Sequence, residues 1–228
     1  MSMLCLIQAR LGSTRLPRKV LADLQGQTVL THVLQRARTI PGVSRIVIAI
    51  PFDECLDFDT HQTVGSLFAD SRVATADVLG RFAAAVEKWP DCTTVMRLTG
   101  DCPLLAPDLA DQVVWRYHQT PGCEYASNVA PGYVDGTDVE VFSARMLRWA
   151  QREATDPADR EHVTPWIQRY APISSTLDAS ADYTRYKWSV DTEDDLARVR
   201  AIAAWLPPGD FRFQTTVTAA EVCLQQPK

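Results

Sequence analysis

Residues 3–19, MLCLIQARLGSTRLPRK, decide the fold of this chain. The continuous apolar run Met3–Ile7 predicts a buried first β-strand. The strand leads into a short Leu-Gly-Ser-Thr turn, and the segment around this turn carries the four cations Arg10, Arg15, Arg18 and Lys19. A cationic turn in this position predicts a ligand site, because ligands of α/β proteins bind at the carboxyl ends of strands.

The composition of the turn favours a phosphate ligand. Gly12 lets the backbone approach a ligand closely, and Ser13 and Thr14 add hydroxyl groups to the main-chain N–H donors. The turn is not a Walker A loop, since no Gly-Lys-Ser/Thr closes a Gly-x4 spacing. A solvated basic turn is the alternative interpretation. The position directly after the first strand favours the polyphosphate-binding loop.

The composition is that of one globular domain with a large core, since the 228 residues are 46% hydrophobic and 22% charged. The net charge of −5 argues against general nucleic-acid binding, so we expect the cationic turn to be a local anion site. The six cysteines show no C-x-x-C spacing, which argues against zinc and favours reduced thiols. No stretch has signal-peptide character or membrane-spanning length, so we expect a soluble cytoplasmic protein without membrane or nucleic-acid partners.

Strand and helix patterns alternate through the first half of the chain. The predicted strands after the first are residues 45–50, 72–75 and 94–98, and the predicted helices are residues 29–37, 54–69, 78–89 and 107–118. This alternation predicts an α/β fold with three α/β/α layers and a mostly parallel sheet.

The second half has shorter elements. We expect strands at 125–128 and 138–142, helices at 143–155 and 159–170, a strand pair formed by 173–178 and 185–190, a helix capped by residues 191–194, and a final helix at 217–225. Pro165 is either a kink in its helix or the first residue of a new turn capped by Thr164.

Two aspartates at predicted strand ends are candidate metal ligands. Asp101 follows the strand at 94–98, and Asp191 follows the strand that ends at Val190. Magnesium binds carboxylate oxygens, and a loop that holds a triphosphate needs a divalent cation when a phosphoryl bond breaks. Each aspartate also has a structural alternative, because Asp101 suits a turn and Asp191 suits a helix N-cap.

Three sequence motifs resemble the CMP-sugar cytidylyltransferases, which activate 3-deoxy-manno-octulosonate and acylneuraminate. They are QARLGSTRLPRK at 8–19, GDCPL at 100–104 and VDTEDDL at 190–196. Three further motifs resemble the branch of spore-coat polysaccharide biosynthesis protein F, namely DVLGRF at 77–82, DVEVF at 138–142 and EHVTP at 161–165. At position 18 this chain has arginine where relatives usually have glycine.

The resemblance implies a Rossmann-like nucleotidyltransferase sandwich and a nucleotide site. The implied nucleotide-binding residues are Arg10, Leu11, Gly12, Ser13, Arg15, Lys19, Arg81 and Asp101, of which Arg10, Lys19 and Asp101 are the implied catalytic residues. Asp101 and Asp191 are the implied Mg²⁺ ligands. For Arg81 the alternative is a surface residue.

The resemblance also implies an acceptor site in the second half. The candidate residues are Asp138, Glu140, Glu161 and His162, although the first two could face only solvent and His162 could make a structural hydrogen bond. We expect one domain over residues 1–228, with an excursion at about 124–187 that binds the acceptor and forms a homodimer.

The implied reaction transfers CMP from CTP to a sugar-acid-like or phosphorylated acceptor and releases pyrophosphate. Two other functions stay open. A glycosyltransferase would use a nucleotide sugar, but such enzymes usually need an Asp-x-Asp motif, which this chain lacks. A non-catalytic nucleotide-binding protein would not need the full set of metal and phosphate residues.

Overall fold

A seven-stranded sheet forms the centre of the protein in a computed structural model that describes residues 2–59 and 66–225. The strands are β1 (Ser2–Gln8), β2 (Asp23–Leu24), β3 (Gln27–Thr28), β4 (Val43–Ala49), β5 (Ser66–Phe68), β6 (Cys92–Thr99), β7 (Tyr125–Ser127), β8 (Glu140–Ser143) and β9 (Ser174–Thr176). The sheet order is β5-β4-β1-β6-β8-β7-β9, and β2 and β3 form a separate hairpin.

The sheet is mixed but mostly parallel. The pairs β1–β4, β1–β6, β4–β5 and β7–β9 are parallel, whereas β8 is antiparallel to both of its neighbours. In the pairing of β1 with β6, Gln8 lies beside Thr99. The first predicted loop and the segment that follows β6 therefore begin at the same edge of the sheet.

Helices cover both faces of this sheet. They are α1 (Val29–Ala37), α2 (Cys55–Asp59), α3 (Val78–Lys88), α4 (Pro107–Gln119), α5 (Ala144–Glu153), α6 (Pro157–His162), α7 (Pro165–Tyr170), α8 (Glu193–Ala203) and α9 (Phe213–Gln225). None of the helices in the two described ranges is long and apolar enough to cross a membrane.

Alternation along β1 separates the two main apolar clusters. Cys5 and Ile7 pack in the cluster that contains apolar residues of α1 and α4, whereas Leu4 and Leu6 pack in the cluster that contains those of α3 and α5. Successive side chains of a strand point to opposite faces, so β1 supports both layers. The predicted three-layer α/β/α architecture is confirmed.

A third apolar cluster joins α8 and α9 to the chain before them. Trp188 is fully buried there with Val190, Leu196 and Val217. Thr192 caps α8 in a capping box with Asp195, so Asp191 is the residue before the N-cap rather than the N-cap itself.

Pro165 is the first residue of α7, and Thr164 is the N-cap position. The fixed φ of proline and its missing N–H suit this position. Pro165 thus begins a new helix, as the second interpretation held, but the Thr164 side chain makes no capping hydrogen bond. The expected helix at 159–170 is two helices, α6 and α7.

Two predictions around residues 54–75 are wrong. The helix expected at 54–69 ends at Asp59 within the described residues, and residues 66–68 form β5 instead; its part at 60–65 lies outside the described residues. The strand expected at 72–75 is a turn, in which Asp70 accepts hydrogen bonds from the N–H groups of Arg72. Backbone pairing of β5 with β4 outweighs the helical spacing of its apolar residues.

The strand expected at 185–190 is also absent. This segment makes one isolated bridge, between Lys187 and Asp135, and does not pair with β9. The carbonyl oxygen of Asp135 accepts hydrogen bonds from the N–H groups of Trp188 and Ser189, at 2.7 and 3.2 Å. Asp191 therefore follows a loop segment and not a strand.

Candidate active site

A polar cleft of about 400 Å³ opens where β1 and β6 end. One side of the cleft is the cationic loop, with residues 8–10, 12–15 and 19–20. Thr99, Asp101 and Asp191 also line the cleft. The predicted location of the site, at the carboxyl ends of the central parallel strands, agrees with this geometry.

Buried side chains and backbone bonds hold the loop in place. Leu11 packs in the cluster with α1, and Leu16 packs in the cluster with α8. The carbonyl oxygen of Leu11 accepts hydrogen bonds from the N–H groups of Ser13 and Arg18, at 2.8 and 3.0 Å. The loop is thus closed across its base, and Arg10 and Arg15 project from it with side chains 46% and 63% exposed.

Arg18 has a left-handed backbone conformation, with φ 59° and ψ 25°. Glycine adopts this conformation without steric cost, which agrees with the glycine that the resemblance implies at this position. The arginine preserves the turn, and its guanidinium pairs with the Asp57 carboxylate at 3.1 Å.

Lys19 connects the two distant aspartates. Its Nζ lies 2.6 Å from Oδ2 of Asp101 and 2.8 Å from Oδ1 of Asp191, and the lysine side chain is only 12% exposed. Burial lowers the pKa of Lys19, but the two carboxylates outweigh this effect and hold the pKa above its usual value. The structure therefore brings all three residues together at one wall of the cleft.

The Asp191 carboxylate has three cationic neighbours. Besides Lys19, Arg15 Nη2 lies 3.0 Å from Oδ1, and Lys187 Nζ lies 3.0 Å from Oδ2. Burial raises the pKa of Asp191, but Lys19 and Lys187 outweigh it and hold the pKa below its usual value. Lys187 was not predicted from the sequence, because its role depends on the position of Asp191.

Backbone contacts explain why residues 90 positions apart meet. The N–H of Val190 donates to the carbonyl oxygen of Asp101 at 2.9 Å, and the N–H of Gly100 donates to the carbonyl oxygen of Gln8 at 2.8 Å. A Cβ at Gly100 would lie 3.0 Å from that Gln8 oxygen, so a side chain at position 100 would push the loop away. The loop, Asp101 and Asp191 are thus held by one continuous set of backbone contacts.

The acceptor candidates lie in three different surroundings. Glu161, at the end of α6, pairs with Arg10 at 3.3 Å, so Glu161 lies beside the cationic loop. His162 is exposed beside it. Asp138 lies in a separate shallow cavity with Tyr133 and Asp135, where burial and the carboxylates of Glu140 and Asp135 raise its pKa to about 6.

Glu140 lies in a buried network and does not line the cleft. Its carboxylate pairs with Arg97 and accepts hydrogen bonds from the Tyr125 hydroxyl at 2.6 Å and from Gln168 Nε2 at 3.1 Å. Arg97 in turn donates to Oε1 of Gln8, which lines the cleft. A direct contact between Glu140 and an acceptor stays a prediction, and its observed contacts are structural.

Arg81 is almost fully buried near the start of α3 and does not line the cleft, so it is not the surface residue that the alternative interpretation required. Its Nη1 donates to the carbonyl oxygens of Ala74 and Thr75, at 3.4 and 2.6 Å. Burial lowers the pKa of Arg81. A contact with the nucleotide stays a prediction.

Glu54 is a residue of the site that the sequence did not indicate. Its carboxylate accepts hydrogen bonds from the N–H groups of Leu11 and Gly12, at 2.7 and 3.2 Å. The only signal in the sequence was its position, five residues after the end of β4 at the same edge of the sheet.

The carboxylates of Asp101 and Asp191 line the cleft and are the candidate metal ligands. Within residues 2–59 and 66–225, no group of three or more His, Cys, Asp or Glu side chains is arranged to hold a metal ion. Asp101 and Asp191 nevertheless share one cation, the ammonium of Lys19. Two carboxylates are a sufficient protein contribution for magnesium, which takes its other ligands from water and substrate phosphates.

Cationic loop residues beside two carboxylates, at the carboxyl edge of the parallel strands, suit a substrate with several phosphate groups. Fold and site thus suit a protein that binds a nucleotide. The sequence profile of the cytidylyltransferase family matches residues 4–225, and the chain belongs to this family. It is a CTP-dependent nucleotidyltransferase, as the sequence motifs predicted.

Individual relatives agree with this assignment. The spore coat polysaccharide biosynthesis protein SpsF of Bacillus subtilis (strain 168) is 30% identical over 209 residues, which cover 87% of this chain and 85% of the relative. A cytidylyltransferase structure from Leptospira borgpetersenii serovar Hardjo-bovis has a TM-score of 0.85 at 23% identity and covers 98% of this chain and 94% of its own. A CMP:2-keto-3-deoxy-manno-octonic acid synthetase complexed with CTP has a TM-score of 0.69 at 19% identity, with 90% and 99% covered. The predicted Rossmann-like fold is confirmed.

Proposed function

We propose that this protein transfers CMP from CTP to a sugar-type acceptor, with release of pyrophosphate, in the synthesis of a surface polysaccharide or glycoconjugate precursor. The convergence of Lys19, Asp101 and Asp191 on one wall of the cleft carries the proposal. Membership of the cytidylyltransferase family supports the nucleotide. The similarity to a protein of spore coat polysaccharide biosynthesis supports the acceptor class.

The cationic loop binds the triphosphate in this proposal. Arg10 and Arg15 project into the cleft with at least part of their charge exposed, and Ser13 adds a hydroxyl donor. Each of these arginines now pairs with a carboxylate of the chain, Glu161 or Asp191. Phosphate oxygens would replace these surface ion pairs, which are individually weak.

Asp101 and Asp191 fit a divalent cation, and we propose Mg²⁺. The two carboxylates already hold a positive charge between them, so a cation that arrives with CTP would meet a suitable pair of oxygen ligands. Bound there, the ion would neutralise charge on the phosphates. Lys19 would then turn its ammonium toward the phosphates.

The reaction itself is an in-line substitution at the α-phosphorus. An acceptor oxygen forms a new bond to this phosphorus, while the bond to the oxygen bridging the α- and β-phosphates breaks and its electron pair leaves with pyrophosphate. Arg10 and Lys19 stabilise the charge on the leaving group. An ionised acceptor needs no base, whereas a hydroxyl acceptor releases its proton to the solvent.

The acceptor site lies in the second half of the chain in this proposal. Glu161 and His162 lie closest to the loop, through the pair of Glu161 with Arg10. Asp138 lies earlier in the same half, in the separate cavity with Tyr133 and Asp135. We propose that residues 1–228 are one domain with an excursion at about 124–187, and that this excursion binds the acceptor and forms a homodimer. The exposed aromatic side chains of Trp149 and Tyr170 support the second role, and sedimentation analysis tests it.

Pyrophosphate release tests the function directly. The wild-type protein is mixed with CTP, MgCl₂ and a panel of sugar acids, sugar phosphates and phosphonates. Asp101→Asn should abolish the release while the protein still unfolds cooperatively. Asp111→Asn, on the exposed side of α4, is the matched control and should behave as wild type. Wild-type turnover in Asp101→Asn would remove Asp101 from the catalytic residues.

The same assay separates the two other functions. A glycosyltransferase would release a free nucleoside diphosphate from a nucleotide sugar and no pyrophosphate from CTP. A non-catalytic protein would bind CTP without turnover across the whole panel. We place the activity in the cytoplasm, where CTP is available.

A further inference from the structure

The segment that follows β4 holds the nucleotide loop from outside the cleft. Glu54 is the last residue of a short 3₁₀ helix, Phe52–Glu54. One of its carboxylate oxygens accepts a hydrogen bond from the N–H of Leu11, and the other accepts one from the N–H of Gly12. Consecutive N–H groups that point at one anion form an anion-binding concavity. Hydrogen bonds to an ionised acceptor are about twice as strong as neutral ones.

The Glu54 carboxylate is not among the groups that line the cleft. Glu54 and Leu11 are absent from the residues that line the cleft, whereas Gly12, Ser13 and Thr14 line it. Glu54 therefore contacts the loop beside the cleft rather than within it. A side chain in this position can orient the loop without competing with phosphate for its cleft-facing groups.

A second contact from the same segment acts on the other end of the loop. Asp57 pairs at 3.1 Å with Arg18, and Arg18 lies seven residues after Leu11 in the loop. Both side chains are about half exposed, so this contact is weaker than that of Glu54. One short segment thus contacts the first and the last turn of the loop.

We propose that Glu54 is a positioning residue for the nucleotide: its carboxylate fixes the Leu11–Gly12 peptide units and thereby aims Arg10 and Ser13 at the triphosphate. The inference rests on the proposed function, because it assumes that the triphosphate binds to this loop. Glu54 touches neither substrate nor reacting atoms and acts only through the loop backbone.

The charge environment of Glu54 makes this role dependent on pH. Burial is the largest effect on the pKa of Glu54 and raises it, and the neighbouring Asp53 carboxylate raises it further. The two loop N–H groups and Arg81 lower the pKa. The net result is a pKa above the usual value for glutamate. Protonation removes the negative charge that the two N–H groups face. The hydrogen bonds between the Glu54 carboxylate and the two loop N–H groups should therefore weaken as the pH falls through the raised pKa.

The experiment compares Glu54→Ala and Glu54→Gln with Asp53→Asn. Asp53 is the adjacent carboxylate, and it accepts a hydrogen bond from the Thr75 hydroxyl instead of a loop N–H. Steady-state pyrophosphate release gives KM for CTP and kcat, and amide hydrogen exchange of the peptide covering residues 8–16 reports the loop directly. Thermal unfolding shows that each variant is folded.

We expect Glu54→Ala to raise KM for CTP by about tenfold, with kcat changed by less than about threefold. Exchange in the 8–16 peptide should become faster, and Glu54→Gln, which keeps one acceptor oxygen, should be intermediate. The rise in KM of the wild type at low pH should be absent in Glu54→Gln. Asp53→Asn should match wild type in KM, kcat and exchange at neutral pH, and its low-pH rise in KM should move to lower pH because Asp53 raises the pKa of Glu54.

Two results would overturn the proposal. One is an unchanged KM and unchanged exchange in Glu54→Ala, and the other is a lower KM, which would mean that the carboxylate competes with phosphate. An inactive wild type would instead count against the proposed function. In that case the exchange data and calorimetric CTP binding still decide whether Glu54 orders the loop for the nucleotide.

Discussion

The ammonium of Lys19 lies 2.8 Å from Oδ1 of Asp191, although the two residues are 172 positions apart. This contact joins the cationic loop to the segment before α8. It also places a positive charge where two carboxylates meet, since Asp101 contacts the same ammonium. The residues assigned to phosphate and metal binding therefore neutralise one another before substrate arrives.

Removal of the Lys19 charge should destabilise the protein and should be partly compensated by a divalent cation. In Lys19→Met, Asp101 and Asp191 lose their shared cation, and we expect the free energy of unfolding to fall by about 2 kcal/mol. Addition of MgCl₂ should recover much of this loss, because the ion replaces the ammonium. Urea denaturation with and without MgCl₂ measures both effects.

Lys88→Met, which removes an exposed lysine at the end of α3, is the control and should show neither effect. Equal stability of Lys19→Met in the presence and absence of MgCl₂ would contradict a cation site at the two carboxylates.

The lowered pKa of Asp191 makes stability depend on pH in the acid range. Because its folded-state pKa lies below the unfolded value, ionised Asp191 stabilises the folded state at pH values above about 4, and this contribution is lost as the pH falls through the folded-state pKa. Asp191→Asn should therefore unfold with a shallower dependence on pH below about pH 4. Thermal unfolding at a series of pH values tests this, and parallel curves for the two proteins would argue against the pairing of Asp191 with Lys19 and Lys187.

Glu140 should matter more for stability than for acceptor affinity. Its carboxylate is buried and paired with Arg97, so Glu140→Ala leaves an uncompensated charge and should cost about 3 kcal/mol of unfolding free energy. Glu161→Ala breaks a pair with Arg10 in which both side chains are more than 40% exposed, and should change stability by less than about 0.5 kcal/mol. Urea denaturation measures both, and a stable Glu140→Ala variant with a raised KM for the acceptor would instead place Glu140 in the acceptor site.

Substitution of Arg18 separates backbone strain from the ion pair with Asp57. Glycine relieves the left-handed conformation and alanine retains it, while both remove the guanidinium. Arg18→Gly should therefore be more stable than Arg18→Ala by about 1 kcal/mol. Thermal unfolding of the two variants measures this difference. Equal melting temperatures for the two variants would contradict a left-handed backbone conformation at position 18.

The sequence identified the first strand, the loop and the helices with clear apolar periodicity, because their signals are local. Met3–Ile7, the capped helix after Asp77 and the strand around Val95 lie where they were predicted. The predictions failed where pairing between strands decided the structure. Residues 66–68 joined β4 as an edge strand, and residues 185–190 bound the loop at Asp135 instead of a strand.

Within the site, the sequence indicated the residue types but not their partners. Lys19, Asp101 and Asp191 stood out by motif, whereas Glu54 and Lys187 did not, since a single carboxylate or ammonium has no local pattern. Arg81 and Glu140 belong to motifs, yet their charges are buried among backbone carbonyls or paired with Arg97.

By itself the sequence determined the strand–loop–helix order, the cationic composition of residues 8–19 and the family, because these depend on neighbours along the chain. Only the tertiary structure decided which charges meet. The contacts of Lys19 with Asp191, Arg10 with Glu161 and Glu54 with the loop N–H groups join residues that are 42 or more positions apart. Such contacts depend on which strands and loops become neighbours in the sheet, and that choice is made by the packing of the whole core.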